Sequence, residues 1–362
     1  MLHIAIDLGS AKSQVCVRKP DGEIVEEGAH PTARLGGRLK GYAPSRVVLE
    51  TCAEAFSVAD AAIEAGHEVR IVPATMVRTL GVGSRGVKTD KRDARILSEV
   101  SCRIELPSVH LPSPISRNLK ALLTMRDALV ASRTKLINSV RGYLRTRLMH
   151  VRLGATKSFP AKVRRALELS PDGAPLAVER MLAAIETLTE QIIAATKELD
   201  ELAAADETCK RLMTAPGVST ISALRFLSAI DDVSRFPTAS AVQSYLGLTP
   251  GENSSSTRQR KTSITKAGAP QVRWTLGQAC WNAWRHRPND PLVMWAHHVA
   301  ERRGRAIAIV AMTRKLAGIL FALWRDGTKY DPGQLKIDAA SATTPAGAGA
   351  ATTNQPPAVV TA

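Results

Sequence analysis

The chain has 362 residues, more than one hydrophobic core organises comfortably, so two or three domains are expected. Its 49 Lys and Arg outnumber 33 Asp and Glu, giving a net charge of +16 that suits a polyanionic partner, and no basic amphipathic anchor favours a membrane surface instead. Five cysteines (Cys16, Cys52, Cys102, Cys209, Cys280) are scattered without a CxxC pair, which argues against zinc and for a reducing compartment.

The amino-terminal third reads as α/β. Leu2–Ile6 is a predicted buried strand, met directly after Met1 with no signal peptide before it. Gln14–Arg18 and Glu23–Val25 flank Lys19-Pro20-Asp21-Gly22, and Asp-Gly between apolar runs signals a hairpin. Arg46–Leu49 is the next strand, Ala53–Ala65 a helix ending at Gly66, and Val69–Val72 a strand stopped by Pro73. Thr89–Ile104 is helical, with Ile96, Leu97 and Val100 on one stripe. Three strands followed by strand–helix alternation predict a mixed sheet with helices packed on it.

Residues 113–207 change character. Leu119, Leu122, Leu123, Leu129, Val130, Ile137, Val140 and Leu144 recur at helical spacing, and so do Leu182, Ile185, Leu188, Ile192, Leu199 and Leu202. Two long helices are predicted, about 115–150 and 175–202, separated by a loop holding Pro160, Pro171, Asp172 and Gly173. They suit an extended hairpin or coiled coil, or else an ordinary helical core. Residues 208–335 are read as a third, mostly helical region that includes a helix over Thr220–Ile230. Residues 336–362, rich in Ala, Thr, Pro and Gly, are expected to be disordered. No apolar run reaches the roughly 18 residues that span a bilayer, and a cytoplasmic protein is expected.

The chemistry concentrates in four carboxylates. Asp7 and Glu50 stand where predicted strands stop, and Asp90 and Asp93 are three apart at the opening of a helix. Each alone has an ordinary reading as a cap or an exposed helix residue. Asp7-Leu8-Gly9-Ser10 also resembles the first phosphate loop of actin-type ATPases, but no second such loop follows. Together, carboxylates at strand ends suit hard divalent cations, and two such ions clamp a phosphodiester under attack.

A second candidate site is the polar segment Thr249-Pro250-Gly251-Glu252-Asn253-Ser254-Ser255-Ser256-Thr257-Arg258-Gln259-Arg260-Lys261. A serine there is either part of a flexible loop or a nucleophile that needs a base and charge neutralisation from elsewhere. Arg258, Arg260, Lys261, Lys266 and Arg273 are candidate nucleic-acid contacts. Trp274, Trp281 and Trp284, interleaved with Arg285 and Arg287, suit either base stacking or the core. Pro216-Gly217-Val218 resembles the phosphate-binding turn of helix-hairpin-helix proteins, with Ser219 where a second glycine is common.

These marks, in this order, resemble the DEDD transposases of insertion sequences, the "IS one-ten" group. They comprise Ile6-Asp7, Leu49-Glu50, Lys88-Thr89-Asp90-Lys91-Arg92-Asp93-Ala94, Pro216-Gly217-Val218, Tyr245-Leu246-Gly247-Leu248-Thr249-Pro250, the serine segment and Ile264-Thr265-Lys266-Ala267-Gly268. The resemblance spans roughly residues 3 to 330. It implies an α/β RuvC-like (ribonuclease-H-like) domain over 1–112, a helical coiled-coil region over 113–207 and a mainly α transposase domain over 208–335. Asp7, Glu50, Asp90 and Asp93 would be the tetrad binding Mg2+. The nucleophilic serine would fall on Ser255, although Ser256 replaces the family's glycine and Asn253 its tyrosine, so Ser254 and Ser256 stay open. The implied activity is DNA recombination by a serine recombinase through a covalent serine–DNA intermediate, guided by a noncoding RNA that pairs with donor and target DNA. Homodimers pairing into tetramers, linked by the long helices, and association with the nucleoid when active come with it. A junction resolvase that uses water, and a non-catalytic nucleic-acid-binding protein, are the alternative readings.

Overall fold

In a computed structural model the described residues are 1–79, 90–152, 154–168, 173–252 and 261–334. The predicted carboxy-terminal tail and the serine segment 253–260 lie outside them. The chain divides into two compact units, Met1–Pro112 and Ser113–Ala362.

The first unit is a five-stranded mixed sheet in the order β3-β2-β1-β4-β5. The strands are β1 (His3–Asp7), β2 (Lys12–Arg18), β3 (Ile24–Pro31), β4 (Arg46–Glu50) and β5 (Glu68–Val72). β1, β2 and β3 are antiparallel neighbours, whereas β1, β4 and β5 run parallel. The predicted hairpin closes at Gly22, whose φ of 95° is available to glycine at little cost. α1 (Leu35–Leu39) and α2 (Ala55–Glu64) cover one face of the sheet, where Ile4, Ile6, Val47, Leu49 and Ile71 meet Leu35, Leu39, Val58, Ala59 and Ala62. α3 (Ala74–Thr79) follows β5. α4 (Asp90–Arg103) covers the other face, where Ala5, Val48 and Val72 meet Leu97 and Leu106.

The second unit is mostly helical. α5 (Pro114–Thr146) is N-capped by Ser113, whose Oγ accepts from the Ser116 amide and donates to Asp231 at 2.6 Å. α5 pairs with α7 (Leu176–Ala205) as an antiparallel hairpin, since Arg126 reaches Thr196 while the later Arg133 reaches Thr189. The seam positions step alternately by three and four: Leu123, Arg126, Val130, Arg133, Ile137, Val140 and Leu144 along α5, and Leu199, Thr196, Ile192, Thr189, Ile185, Leu182 and Val178 along α7. α6 (Phe159–Glu168) caps the far end with Phe159, Val163 and Leu167, where a proline-containing loop was expected. Pro160 is compatible with this helix because it stands in the first turn, where no intrahelical amide bond is lost. Arg164 holds α6 to α7 through Glu179 at 3.0 Å and Glu186 at 2.6 Å.

The remaining helices are α8 (Glu207–Leu212), α9 (Thr220–Ile230), α10 (Ala239–Tyr245), α11 (Pro270–His286), α12 (Pro291–Arg303) and α13 (Arg305–Asp326). They enclose one core that also takes in Leu123 of α5 and Leu199 of α7. α13 is long and apolar enough to cross a membrane by length and composition, which the sequence reading did not anticipate. Here Met312, Leu316, Leu320 and Phe321 place it in the middle of the helical core. The buried thiols Cys209 and Cys280 are pushed up to about 12 by desolvation, as befits structural cysteines.

Replacing Gly217 by Ala is expected to destabilise the helical unit by at least about 2 kcal/mol in urea unfolding, because its φ is 74° and a Cβ would lie 2.0 Å from the Ala279 carbonyl oxygen. Arg164 hydrogen bonds hold the Glu186 carboxyl below the usual carboxylate range. That contribution is present above the unfolded pKa of about 4.3 and disappears as the pH falls through the folded value. Arg164→Gln should therefore lower the midpoint of unfolding at pH 7, and this loss should shrink progressively as the pH is lowered through the acid range.

Candidate active site

The four carboxylates come to one end and one face of the first unit. Asp7 and Glu50 are the last residues of β1 and β4. The parallel register sets Ile6 beside Leu49, so the two acids follow at the same level. Strand alternation puts Asp7 on the side of Ala5, and Glu50 on the side of Val48, which is the α4 side.

α4 runs opposite to β1. The His3 ring nitrogen Nδ1 lies 2.8 Å from Ser101 Oγ. Further back along the helix, Ser98 Oγ meets Cys16, the residue opposite Ala5. Burial, then Arg46, lowers the His3 pKa, which favours the neutral ring in this contact. From Ser101 back to Asp93 the helix covers about 12 Å. From His3 to Asp7 the strand covers about 13 Å. The first turn of α4, with Asp90 and Asp93, therefore arrives at the level of Asp7. Asp93 is buried at 3% exposure, and Asp90 is exposed.

The loop after Asp7 is pinned. Gly9 donates its amide to Ser13 Oγ at 3.3 Å, and its carbonyl accepts from Thr32 Oγ1 at 2.6 Å. The two hydroxyls meet at 2.7 Å. A Cβ at Gly9 would lie 2.3 Å from the Lys12 carbonyl oxygen, so only glycine permits this turn. Neither Ser13 in β2 nor Thr32 just after β3 was signalled by spacing, because isolated hydroxyls at such places are common.

Among the described residues no three His, Cys, Asp or Glu side chains converge as a ready ligand cage. The donor chemistry still fits a hard cation. All four groups offer carboxylate oxygen, and Mg2+ is commonly held by one or two carboxylates plus substrate phosphates and water.

The serine segment joins β6 (Pro250–Glu252) to β7 (Lys261–Ile264), an antiparallel pair with Pro250 opposite Ile264 and Glu252 opposite Lys261. Ser254, Ser255, Ser256, Arg258 and Arg260 lie outside the described residues. The root of the hairpin is tightly built. A Cβ at Gly268 would lie 2.1 Å from the Tyr245 carbonyl oxygen, and Gly247 has a φ of 68°. Arg273 directs Nη1 at the carbonyls of Leu246, at 3.1 Å, and Gly268, so it braces this root. Lys266 is exposed beside it, with a φ of 58°.

Gly217 does not form an open phosphate turn. Its α-carbon lies against α11, and Ser219 and Ser222 close a capping box on α9 that already engages two amides of its first turn. Trp281, Trp284 and Trp295 pack on the helical core, and Trp274 is 65% exposed.

Two family profiles match the chain. A transposase profile of the DEDD, IS110 type covers residues 4–148, and a profile described as "Transposase IS116/IS110/IS902 family" covers residues 209–293. The chain belongs to the IS110 family of transposases. Among its relatives is the transposase of insertion sequence element IS1111A of Coxiella burnetii, 27% identical over 88% of this chain and 88% of that protein. A probable family 20 transposase of Pseudomonas aeruginosa is 29% identical over 91% of this chain and 99% of its own length. The transposase of element IS1328 of Yersinia enterocolitica is 26% identical over 90% and 98%. This transposase is accordingly an enzyme of DNA transposition, and its mixed amino-terminal sheet and mostly helical remainder are consistent with the DEDD type.

Thr32→Val should cost the sheet unit about 1–3 kcal/mol in urea unfolding, by leaving Gly9 O and Ser13 Oγ short of a partner. Thr32→Ser should retain most of that stability.

Proposed function

We propose that this transposase cuts and exchanges DNA strands through a covalent serine–DNA intermediate, with a ribonuclease-H-like DEDD domain assisting at the phosphate. The observation that carries this reading is the arrival of Asp7, Glu50 and the first turn of α4 at one end of the sheet. Asp7, Glu50, Asp90 and Asp93 would hold Mg2+, which when bound supplies neutralisation of charge on the phosphodiester.

Ser255 Oγ attacks phosphorus. The Oγ–P bond forms as the bond from phosphorus to one deoxyribose oxygen breaks, and the serine proton passes to the departing sugar oxygen or to solvent. A sugar hydroxyl later attacks the same phosphorus and returns the serine, so the number of phosphodiester links is conserved. Ser254 and Ser256 are the neighbouring alternatives for the nucleophile. Arg258, Arg260, Lys261 and Lys266 neutralise the strand around it. Arg273 braces the hairpin from below through Leu246 and Gly268.

A noncoding RNA sets the sequence choice by pairing with donor and target DNA. Homodimers pair into tetramers, linked by the long helices acting as a coiled coil. In that assembly the carboxylates of one protomer face the serine of another. The protein works in the cytoplasm, at the nucleoid. The excess of 49 cationic over 33 anionic side chains supports nucleic acid as the partner.

The test uses the protein purified with its bound RNA and offered donor and target DNA. A denaturant-stable protein–DNA adduct is expected, mapping to Ser255 by mass spectrometry and absent in Ser255→Ala. Asp7→Asn should lower strand transfer to background. Cleavage that persists in Ser255→Ala, Ser254→Ala and Ser256→Ala without any adduct would overturn the serine mechanism.

A further inference from the structure

We propose that Glu27 is a positioning residue for the DEDD site: its carboxylate sets the roll of α4 that turns Asp90 and Asp93 toward Asp7 and Glu50. The inference rests on the reading of those four acids as metal ligands.

Glu27 lies in the middle of β3, opposite Cys16, which is itself opposite Ala5. The three form one row across the sheet on the side covered by α4. The Glu27 side chain is only 12% exposed, although β3 is an edge strand. Lys91 Nζ lies 3.0 Å from Oε2. Arg95 engages the same carboxylate as a fork, with Nη2 at 2.7 Å from Oε2 and Nε on Oε1. The strand thus supplies a covered anion, and two cations of α4 reach in to it.

Those cations alternate in sequence with the site carboxylates: Asp90, Lys91, Asp93, Arg95. On the helix they define two neighbouring faces. Lys91, Arg95, Ser98 and Cys102 form one stripe, and each contacts β2, β3 or the turn between them. Asp90, Ala94, Leu97 and Ser101 form a stripe about a quarter turn away, with Asp93 next to it on the side away from Lys91 and Arg95. Leu97 and Ser101 of that stripe meet Ala5, Val48 and His3. Fixing the first stripe on β3 therefore fixes where the second one points. The contacts of Leu97 and Ser101 lie one to three turns beyond the acids, so Glu27 is the anchor at the level where orientation of the acids is decided. Groups that orient ligands from behind act on metal affinity through such geometry.

The same sheet contains a matched ion-pair cluster that cannot act this way. Glu68 takes Arg46 at 3.1 Å and Arg70 at 2.8 Å. Arg46 and Glu68 start β4 and β5 and Arg70 follows two residues on, whereas Asp7 and Glu50 end their strands. A merely structural role for Glu27 would make Glu27→Gln and Glu68→Gln behave alike.

The experiment measures Mn2+ binding to the full-length protein without nucleic acid, by titration calorimetry and by the loss of the free-ion paramagnetic resonance signal. Thermal unfolding is followed in parallel. Glu27→Gln is expected to weaken Mn2+ binding by about ten- to a hundredfold. Glu68→Gln should leave the affinity at the parent value while lowering the unfolding temperature by a comparable amount. Arg95→Lys, which keeps the charge and loses the fork, should shift affinity in the same direction by less, and it decides the matter if Glu27→Gln does not fold. Parent affinity in Glu27→Gln, or in a folded Arg95→Lys in its place, overturns the proposal, and so does an equal loss in Glu68→Gln. Asp7→Asn separates the two claims. If it abolishes binding while Glu27→Gln does not alter it, the clamp alone fails; if Asp7→Asn keeps parent affinity, the metal reading of the acids fails with it.

Discussion

The parallel pairing of β1 with β4 is the constraint on which the candidate site depends. Because side chains alternate along a strand, the pattern that buries Ile4 and Ile6 against α1 and α2 also turns Ala5 and Asp7 to the α4 side. The same holds for Val47 and Leu49 against Val48 and Glu50. A slip of one residue would crowd the isoleucines into the space that Ala5 occupies beneath α4 and send an acid into the apolar layer beneath α1 and α2, which is why such a register is strongly specified. The free energy that places two carboxylates side by side is thus the burial of aliphatic side chains one position away. α4 completes the arrangement by running opposite to β1, and its serines at 98 and 101 fix its height on the sheet.

This logic explains which parts were legible in the sequence. Short apolar runs ending in an acid announced β1 and β4 with Asp7 and Glu50 in place, and the apolar stripe through Leu97 announced α4. β3 was read as Glu23–Val25 and proves to be Ile24–Pro31. The remainder, Glu26 to Pro31, carries little apolar signal, and its two glutamates meet polar groups. Glu26 takes Arg38 and the Tyr42 hydroxyl, and Glu27 takes Lys91 and Arg95. An edge strand held by ion pairs has no hydrophobic alternation to read. The same cause hides Glu27 as a functional residue: its partners lie more than sixty positions away, at no telling spacing.

Elsewhere the limits of spacing are chemical. Arg273 belongs to a basic run, and composition cannot tell a guanidinium that meets phosphate from one that meets backbone carbonyls. Prolines near position 160 read as loop, yet Phe159, Val163 and Leu167 keep a step of four and pack a helix. Pro216-Gly217-Val218 matched a phosphate-binding turn, but its glycine is required by close approach to the Ala279 carbonyl. In each case the residue type was correctly seen as special, and only the packed neighbour decides what it is special for.

The α5–α7 hairpin shows how polar residues specify a structure that apolar ones merely stabilise. Its seam is interrupted twice, by Arg126 with Thr196 at 2.8 Å and by Arg133 with Thr189 at 3.4 Å. The apolar layers on their own would tolerate a shift of one heptad. Such a shift in one direction would set Arg133 against Leu182, and in the other it would set Arg126 against Ala203, leaving a threonine facing Leu119 or Val140 as well. Each slip would leave one of the two part-buried guanidiniums without its threonine acceptor, so the polar layers favour the native register over the slipped ones. The base of the hairpin shares a core with α9 and the far end has its own, around Val140, Leu144, Phe159 and Leu182. Between two separate hydrophobic clusters, the arginine–threonine layers are what keep one end in register with the other.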